Sequence, residues 1–368
     1  MMQKRIAGMA EQNKTWLDKI MARPFAFPSE SAPGSPVVIS SRIRLARNLN
    51  KYPFPPASSQ ESDAQVGELV QLAIKRSRAM GVGCISLNVN SLNNVERMIL
   101  LERQLASREL LKSPGKQYVH ISRSGNCSIM VNEEDHLRIQ TVLPGLQLRR
   151  AWKKVNELDD ALSQELDIAY DRDLGYLTAC PSNVGTGLRA SVMLHLAGLS
   201  LKDNIGQLER ALAKLNLTVR GMYGEGSGSY GNMYQISNQS TLGESEEEII
   251  DRLGRVIDQI VEHEESARRS LLANERTRLL DKVGRSFGLL RYSYMLSESE
   301  AFEALSGLRL GVALNMFDFL DMQCVNELFN SVHSGVIACH AGRELEKKEC
   351  DTLRAKTVRE RLRENDCR

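Results

Sequence analysis

The chain has 368 residues, of which 42% are hydrophobic and 26% charged, and its formal net charge is +2. This balance is ordinary for a folded globular protein and argues against bulk binding to nucleic acid or to a membrane surface. The length allows two domains with sizeable cores, and no apolar run reaches the roughly 18 residues that a membrane-spanning helix needs.

The first half of the chain predicts helices alternating with strands. A short helix over residues 10–22 precedes a proline-rich break, and β-branched residues from Val37 onward predict a strand. Apolar residues at three- and four-residue spacing predict helices over 62–80 and 95–107. Two predicted strands, 118–122 and 127–132, flank the sequence RSGN, which is typical of a hairpin loop.

The second half is predicted to be mainly helical. An amphipathic helix over 148–168 is followed by a short strand over 174–179, and then by a glycine-containing loop that leads into a helix within 185–199. Ser245 and Glu248 have the spacing of a capping box at the start of a further helix. Behind them runs an apolar stripe of helical period formed by Ile249, Ile250, Leu253, Val256, Ile257 and Ile260.

These elements predict an α+β fold in which helices flank an antiparallel sheet. We expect a catalytic domain over residues 1–260 and a helical C-terminal domain over 261–368. Cysteines occur at seven scattered positions without a CxxC pair, which argues against a disulfide framework and a zinc ribbon. His333, Cys339 and His340 lack a fourth ligand at suitable spacing, so we predict no protein-bound metal there. The N-terminus has no apolar signal region, and we expect a cytoplasmic protein.

Arginines occur in four short segments that also contain serine, glycine or acidic residues. SSRIRLARN (40–48) places Arg42 and Arg44 two residues apart, so on a strand they share one face. NEEDHLR (132–138) contains Arg138, CPSNVGTGLRASV (180–192) contains Arg189, and VRGMYGEGSGSYGN (219–232) contains Arg220. Guanidinium groups match phosphate oxygens, so five converging arginines predict a polyphosphate site. The chain has neither a G-x-x-x-x-G-K-S/T loop nor a protein-kinase glycine loop with its H-R-D partner.

Acidic residues and one cysteine accompany these arginines. Glu134 and Glu225 each lie within a few residues of an arginine, and two carboxylates can hold a planar cation by bidentate hydrogen bonds. One of them could also accept a proton from the substrate nitrogen. Cys180 begins the third segment, where a thiol beside arginines would be reactive. The alternatives are exposed surface arginines, a polar turn at NEED, a small buried cysteine and a glycine-rich linker.

The four segments, in this order, resemble the ATP:guanido phosphotransferase family, which includes the creatine and arginine kinases, and the resemblance covers about residues 37–260. It is strongest to the bacterial protein-arginine kinases. Only about 37 residues precede VISSRIR, where the small-molecule kinases carry a helical domain. The stretch ending in ISNQSTLGESEE and the helical C-terminal region also resemble that branch. The resemblance therefore implies a guanido-kinase catalytic fold that phosphorylates arginine side chains in proteins, with ATP and Mg²⁺.

The resemblance also implies roles for individual residues. Glu134 corresponds to the catalytic glutamate and general base, Glu225 to a second glutamate that clamps the guanidinium group, and Cys180 to a cysteine that contacts it. The loop from Gly221 to Gly231 is expected to close over the site. ATP would be bound by Ser40, Ser41, Arg42, Ile43, Arg44, Arg138, Arg189, Ala190, Ser191, Val192, Met193, Arg220, Gly221, Met222, Tyr223 and Gly224.

One motif departs from the family pattern. The protein-arginine kinases carry an R-D-x-x-R-A motif that binds phosphoarginine, and here the sequence is CDTLRA, with Cys350 in place of the first arginine. Asp351 and Arg354 remain, so the resemblance implies a weakened phosphoarginine site. It further implies a homodimer, protein substrates with exposed arginines, a zinc-binding activator protein and a link to Clp-type proteolysis. Two other readings stay open, namely a kinase for free arginine or another small guanidino compound, and a weakly catalytic phosphoarginine-binding regulator.

Overall fold

The computed structural model describes residues 15–23, 27, 32–34, 36–113, 115–221 and 230–366. Their main feature is an eight-stranded antiparallel sheet with the order β2-β3-β4-β5-β1-β8-β10-β9. A separate hairpin pairs β6 with β7. The strands are β1 Val38–Arg47, β2 Ile85–Asn88, β3 Tyr118–Ile121, β4 Cys127–Val131, β5 Leu137–Pro144, β6 Tyr170–Asp171, β7 Gly175–Tyr176, β8 Leu188–His195, β9 Leu217–Gly221 and β10 Met233–Asn238.

Helices surround this sheet and make up the whole C-terminal part. They are α1 Trp16–Met21, α2 Gln60–Ser77, α3 Asn94–Glu102, α4 Arg108–Lys112, α5 Leu148–Ser163, α6 Ala197–Leu201, α7 Ile205–Ala213, α8 Glu246–Asn274, α9 Arg276–Tyr292, α10 Glu298–Ala313, α11 Met322–Ser331, α12 Ser334–Ala341 and α13 Lys347–Asp366. The predicted α+β class is confirmed. Among the described residues, no helix has both the length and the apolar character needed to span a membrane.

The two faces of the sheet pack differently. On one face, β1 contributes Ile43 and Leu45 to a core shared with α2, α5 and α8. A second core joins helices α9, α10, α11 and α13 to the sheet through Ile39, Met193 and Met233. The C-terminal helices therefore lie directly against one end of the central strands.

Helix α8 begins with the predicted capping box, because Ser245 Oγ accepts a hydrogen bond from Glu248 N while the Glu248 carboxylate accepts one from Ser245 N. It then runs unbroken through residue 260, and Ile260 is buried in the core beneath the sheet. The two parts of the chain thus meet within one continuous helix. The division into domains at residue 260 stays a prediction.

Several elements differ from the sequence expectations. The loop and helix predicted over 185–199 are wrong, since residues 188–195 form β8 and only the five-residue α6 follows. β8 lies between β1 and β10 and is buried on both faces, so it lacks the alternation that marks a half-exposed strand. The predicted strand over 174–179 shortens to β7. The helices predicted over 95–107 and 148–168 end earlier, at Glu102 and Ser163.

Candidate active site

Four strands bring the predicted arginines onto one face of the sheet. Arg44 on β1 lies opposite Gln140 on β5 and opposite Arg189 on β8. Directly opposed residues point to the same face, and so do residues two apart on one strand. By the same register, Arg42 and Arg138 share that face. Arg220 on β9 lies opposite Gln235 on β10, which in turn lies opposite Met193.

The intervening residues of the same segments point into the core beneath the sheet. Ile43, Ala190 and Val192 are fully buried among its apolar side chains. The Ser41 hydroxyl donates to Gly145 O and accepts from Gln147 N, which also ties it to the opposite face. Of the residues predicted to bind ATP, these four therefore have no side chain in the arginine pocket.

The arginines line a cavity of about 420 Å³, which we call the arginine pocket. Its walls include six of the residues for which ATP binding is predicted, namely Arg42, Arg44, Arg138, Arg189, Arg220 and Gly221. Sequence reasoning missed further lining residues from α3, α4 and the loop between them, and from β10 and the turn before α12, namely Glu102, Gln104, Ser107, Arg108, Gln235 and His333. These residues carry no local motif, and only the packing of α3 and α4 beside the sheet brings them to the pocket.

Gln140 fixes the orientation of Arg42 and was also missed. Its amide nitrogen donates to Gln104 O and Ser128 Oγ at 2.6 and 2.7 Å, which leaves the amide oxygen facing Arg42. That oxygen accepts two hydrogen bonds from the Arg42 guanidinium group. The sequence gives only a weak indication of this role. Gln140 is a polar residue two positions after Arg138, and the strand that carries the arginine pair is its neighbour in the sheet but lies far away in the sequence.

The pocket concentrates positive charge with little compensation. Burial, then Arg138 and Arg189, lower the pKa of Arg42 to about 10, while Glu133 raises it. Burial and the neighbouring Arg42 lower the pKa of Arg44 well below its usual value. The Arg44 Nε atom is buried and has no hydrogen-bond partner in the described part of the chain. Such a cluster is suited to an anion with several oxygens.

The NEED segment divides its two glutamates between different tasks. Glu133 is almost completely buried; it accepts a hydrogen bond from Arg138 Nη1 at 2.6 Å and another from Ser107 Oγ at 2.5 Å. Glu134 is 44% exposed, and its carboxylate lies 3.3 Å from Arg138 Nη2. Glu133 therefore orients Arg138, while Glu134 remains accessible at the edge of the arginine pocket.

The other polar residues of this segment build the local structure. Asn132 has a left-handed φ of 59° and donates from its amide to Asp63 O and Lys116 O. His136 Nδ1 accepts from Leu49 N, so the ring is neutral and its Nε2–H faces Pro53 O. Burial lowers the pKa of His136, in agreement with a neutral ring. Glu134 is thus the one carboxylate of the segment left open to a substrate.

Asp135 links the NEED segment to the segment that contains Cys180. Its Oδ1 atom accepts hydrogen bonds from Ala179 N at 2.7 Å and from Asn48 Nδ2 at 2.6 Å. Glu134 precedes Asp135 and Cys180 follows Ala179, so this hydrogen bond joins the two segments next to both residues. The Cys180 thiol is half-buried and lies 3.0 Å from Ser182 Oγ.

Other predicted site residues lie elsewhere. Met222, Tyr223, Gly224 and Glu225 fall outside the described residues. Asp351 and Arg354 lie on α13 and line a separate cavity of about 550 Å³ with Cys350. Arg354 is buried and donates to Val332 O, Leu296 O, Asp351, Ser334 Oγ and Cys350 Sγ. Within the described ranges, no three histidine, cysteine, aspartate or glutamate side chains form a metal-binding group.

Two family models match the chain. The C-terminal catalytic domain of the ATP:guanido phosphotransferases matches residues 65–267, which include all the described pocket residues except Arg42, Arg44 and His333. The protein-arginine kinase McsB C-terminal domain matches residues 276–367.

Curated relatives match over nearly the full length. A protein-arginine kinase of Pelotomaculum thermopropionicum is 45% identical over 89% of this chain and 92% of its own length. A protein-arginine kinase of Moorella thermoacetica is 43% identical over 96% of this chain and 98% of its own length. A protein-arginine kinase of Bacillus cereus is 42% identical over 94% of this chain.

Solved structures with a similar fold include a taurocyamine kinase and a lombricine kinase. A duplicated taurocyamine kinase from Schistosoma mansoni with bound transition-state analogue components is 25% identical, with a TM-score of 0.59. The alignment covers 67% of this chain and 35% of that longer chain. Lombricine kinase is 22% identical with a TM-score of 0.54 and covers 66% of this chain and 72% of its own, which supports the fold alone.

Proposed function

Since the chain belongs to the ATP:guanido phosphotransferase family, we propose that its arginine pocket binds the phosphates of ATP and that the enzyme transfers the γ-phosphoryl group to arginine side chains of proteins. The observation that carries this proposal is the meeting of five arginines on one sheet face beside a single accessible NEED carboxylate, Glu134. The near full-length similarity to protein-arginine kinases supports the protein substrate.

The arginines would stabilise the charge of the phosphoryl group during its transfer and hold it in position. Arg42, Arg44 and Arg189 form a row across β1 and β8, with Arg138 and Arg220 on either side. Guanidinium groups fixed before the reaction can stabilise charge on phosphate oxygens without reorganising during it. Gln140 and Glu133 contribute by holding Arg42 and Arg138 in place. In phosphoryl transfer such positioning and electrostatics supply most of the catalysis.

Glu134 is the residue we assign to proton transfer. A guanidinium nitrogen can attack phosphorus only as it loses a proton. The Glu134 carboxylate accepts that proton while the new N–P bond forms and the bond from phosphorus to the bridging oxygen of ADP breaks. Asp135 places the Cys180 segment beside Glu134, so the thiol can contact the same guanidinium group. By the family resemblance, Glu225 would hold it from the other side.

Mg²⁺ fits this site as an ion that accompanies the nucleotide. The pocket is lined by arginines, and no side-chain cage for a metal occurs within the described residues. Mg²⁺ commonly binds through substrate phosphates and keeps several waters. The phosphate oxygens would hold it here, and it would neutralise part of their charge.

A protein substrate is favoured over a small guanidino compound by the surroundings of the site. The chain resembles the protein-arginine kinases through its C-terminal helices as well as its catalytic part. A second cavity of about 390 Å³ adjoins the arginine pocket through Leu101, Glu102 and Arg108 and extends to Phe302 and Glu298 on α10. A polypeptide that surrounds the target arginine would have room along this surface. Cytoplasmic location stays a prediction from the sequence, whereas homodimerisation, a zinc-binding activator and Clp-type proteolysis stay predictions from the family resemblance.

The decisive assay offers Mg-ATP together with either free arginine or an arginine-rich unfolded protein. We expect acid-labile phosphate on the protein, little on free arginine, and loss of the product in Glu134→Gln. Turnover of free arginine alone would instead establish a small-molecule guanidino kinase. ATP binding without transfer to either substrate would favour the regulatory reading and overturn the mechanism.

A further inference from the structure

The turn Tyr230–Asn232, which leads into β10, is held by helix α10 of the C-terminal part. Gly231 N donates a hydrogen bond of 2.8 Å to Glu303 Oε1. Gly231 has a φ of 64°, and a Cβ atom there would lie 2.8 Å from Phe302 O, so the close approach to α10 requires glycine. The helix therefore contacts the backbone of this turn directly.

The next residue makes a second contact with the same helix. Asn232 Nδ2 donates to Ser306 Oγ at 2.8 Å. Glu303 and Ser306 are three residues apart, so they lie on one face of α10. Asn232 O also accepts from Leu196 N at 3.0 Å, which ties the turn to the end of β8.

Ser306 is itself oriented by buried charged and aromatic groups. His195 lies fully inside the protein, and its Nδ1 atom faces Arg309 Nη1 at 3.1 Å and Arg268 Nη2 at 3.3 Å. Arginine can only donate, so Nδ1 accepts and the proton sits on Nε2. Burial and then these two arginines lower the pKa of His195 well below its usual value, in agreement with a neutral ring. His195 Nε2–H therefore donates to Ser306 Oγ at 2.8 Å.

This arrangement connects the C-terminal helices to the arginine pocket. β10 begins directly after the turn, and its residue Gln235 pairs with Arg220 on β9. Gln235 and Arg220 both line the arginine pocket. A displacement of the turn would therefore be transmitted over three residues to the Arg220 side of the pocket.

We propose that Glu303 and Ser306 are positioning residues for phosphoryl transfer, through which helix α10 holds the turn Tyr230–Asn232 and the Arg220 side of the arginine pocket in the geometry needed for transfer. This inference rests on the proposed function and assigns the C-terminal helices an indirect part in catalysis, through the turn and β10. The second core supports it, because Met233 on β10 packs there with Phe302 and Leu305 of α10.

The experiment compares four variants for kcat and for the Kd of ATP, with Mg-ATP and an arginine-rich unfolded protein as substrates. Glu303→Ala removes the acceptor for Gly231 N, and Glu303→Gln keeps an oxygen there. Asn232→Gly removes the bond to Ser306 but retains the positive φ of 54°. Glu360→Ala removes an exposed acid of α13 and is the matched control.

We expect Glu303→Ala and Asn232→Gly to lower kcat about tenfold, because small displacements in a preorganised site are costly. The Kd of ATP should rise about threefold, since Arg220 is one of several arginines that hold the phosphates. Glu303→Gln should stay within about twofold of the wild type, because its oxygen can still accept the Gly231 hydrogen bond. Glu360→Ala should behave as the wild type.

Both constants are measured well below the melting temperatures of the variants. The proposal is overturned if Glu303→Ala and Asn232→Gly both keep the wild-type kcat and the wild-type Kd of ATP. These contacts would then have a purely structural role. An inactive wild-type protein would count against the proposed function instead. In that case the Kd of ATP still decides the positioning role: it should rise in Glu303→Ala and recover in Glu303→Gln, and equal values in all four variants would overturn it.

Discussion

Glu133 and Glu134 are neighbours in the chain and both contact Arg138, but the side chain of Glu133 is 2% exposed and that of Glu134 is 44% exposed. The buried carboxylate is occupied by Arg138 and Ser107. The exposed one has only the longer contact to Arg138 Nη2. Two chemically identical side chains therefore have separable tasks, one in orienting an arginine and one in meeting the substrate.

Substitution of each glutamate by glutamine should separate these tasks. Glu134→Gln removes the proton acceptor, so we expect kcat to fall by about 10²–10⁴-fold with little change in melting temperature. Glu133→Gln weakens a buried charge pair, so we expect a loss of stability of about 3 kcal/mol and weaker ATP binding. Urea unfolding, ATP titration and steady-state kinetics of both variants test the division.

The two variants act as controls for each other. Equal losses of stability in both would contradict the difference in burial. Retained turnover in Glu134→Gln would exclude Glu134 as the general base.

We expect Arg44 to have two opposite effects. It should lower the stability of the ligand-free protein, and it should increase the affinity of the protein for ATP. Its side chain is half-buried, its Nε atom is buried without a hydrogen-bond partner in the described part of the chain, and its neighbours are arginines. Replacing an unfavourably buried charge by an apolar side chain of similar length commonly stabilises a protein, so Arg44→Met should gain about 1–2 kcal/mol without ligand. The increase in melting temperature on adding ATP should shrink in the same variant, as thermal unfolding with and without nucleotide would show.

Arg172→Met, at an exposed position of the β6–β7 hairpin, is the control for loss of one positive charge. It should leave both the stability and the response to ATP unchanged. A marked loss of stability in ligand-free Arg44→Met would show that Arg44 supports the fold.

Many residues of the arginine pocket could be predicted because they occur in short sequence segments with a recognisable pattern. The two-residue spacing of Arg42 and Arg44 predicts a shared strand face, and the register of β1 against β5 and β8 places them so. The same alternation could have excluded Ile43 and Val192 from the pocket, since they occupy the opposite parity. The sequence resemblance named whole segments, whereas the sheet uses every second residue.

The remaining features depend on contacts between residues far apart in sequence. Gln140 accepts hydrogen bonds from Arg42 on the neighbouring strand. Asp135 accepts one from the backbone of Ala179, which is 44 residues further along the chain. Neither has a local pattern that marks its partner. β8 was missed for a related reason, because a central strand buried on both faces has the apolar run of a buried helix.

Glu102 should make stability depend on pH. Its carboxylate accepts from Gly335 N at 2.6 Å, and burial raises its pKa to about 7, although His333 and Gly335 act in the opposite direction. Glu298 adds to the increase, and Arg103 is a nearby cation. The folded protein therefore holds this proton at pH values where the unfolded chain has lost it.

Stability from this group is then fully present below about pH 4.5 and decreases as the pH rises to about 7. The decrease should be on the order of 2–3 kcal/mol. Glu102→Gln cannot ionise but keeps an oxygen for Gly335 N, so its urea-unfolding free energy should lack this slope. Parallel pH profiles for the wild type and the variant would contradict the assignment.

Arg354 should act chiefly as a structural residue in this chain. All five of its N–H groups have acceptors within the protein, among them Val332 O at 2.6 Å and Asp351 Oδ1 at 2.6 Å. Removing one partner of such a buried network leaves several groups unpaired, so Arg354→Met should lose about 3–5 kcal/mol of stability. Arg354→Lys should also lose stability, because an ammonium group cannot reproduce the planar set of five donors.

Binding of phosphoarginine to the Arg354 site can be tested directly by adding the ligand. A phosphate could reach Arg354 only by displacing these acceptors, so we expect free phosphoarginine to leave the melting temperature of the wild type nearly unchanged. Cys350→Arg would place a second guanidinium group where the thiol now lies 3.2 Å from Arg354 Nη2. The two like charges should destabilise the ligand-free variant, and a phosphorylated ligand that pairs with both should raise its melting temperature. An equal increase in the wild type would show that Arg354 binds phosphoarginine without the second arginine.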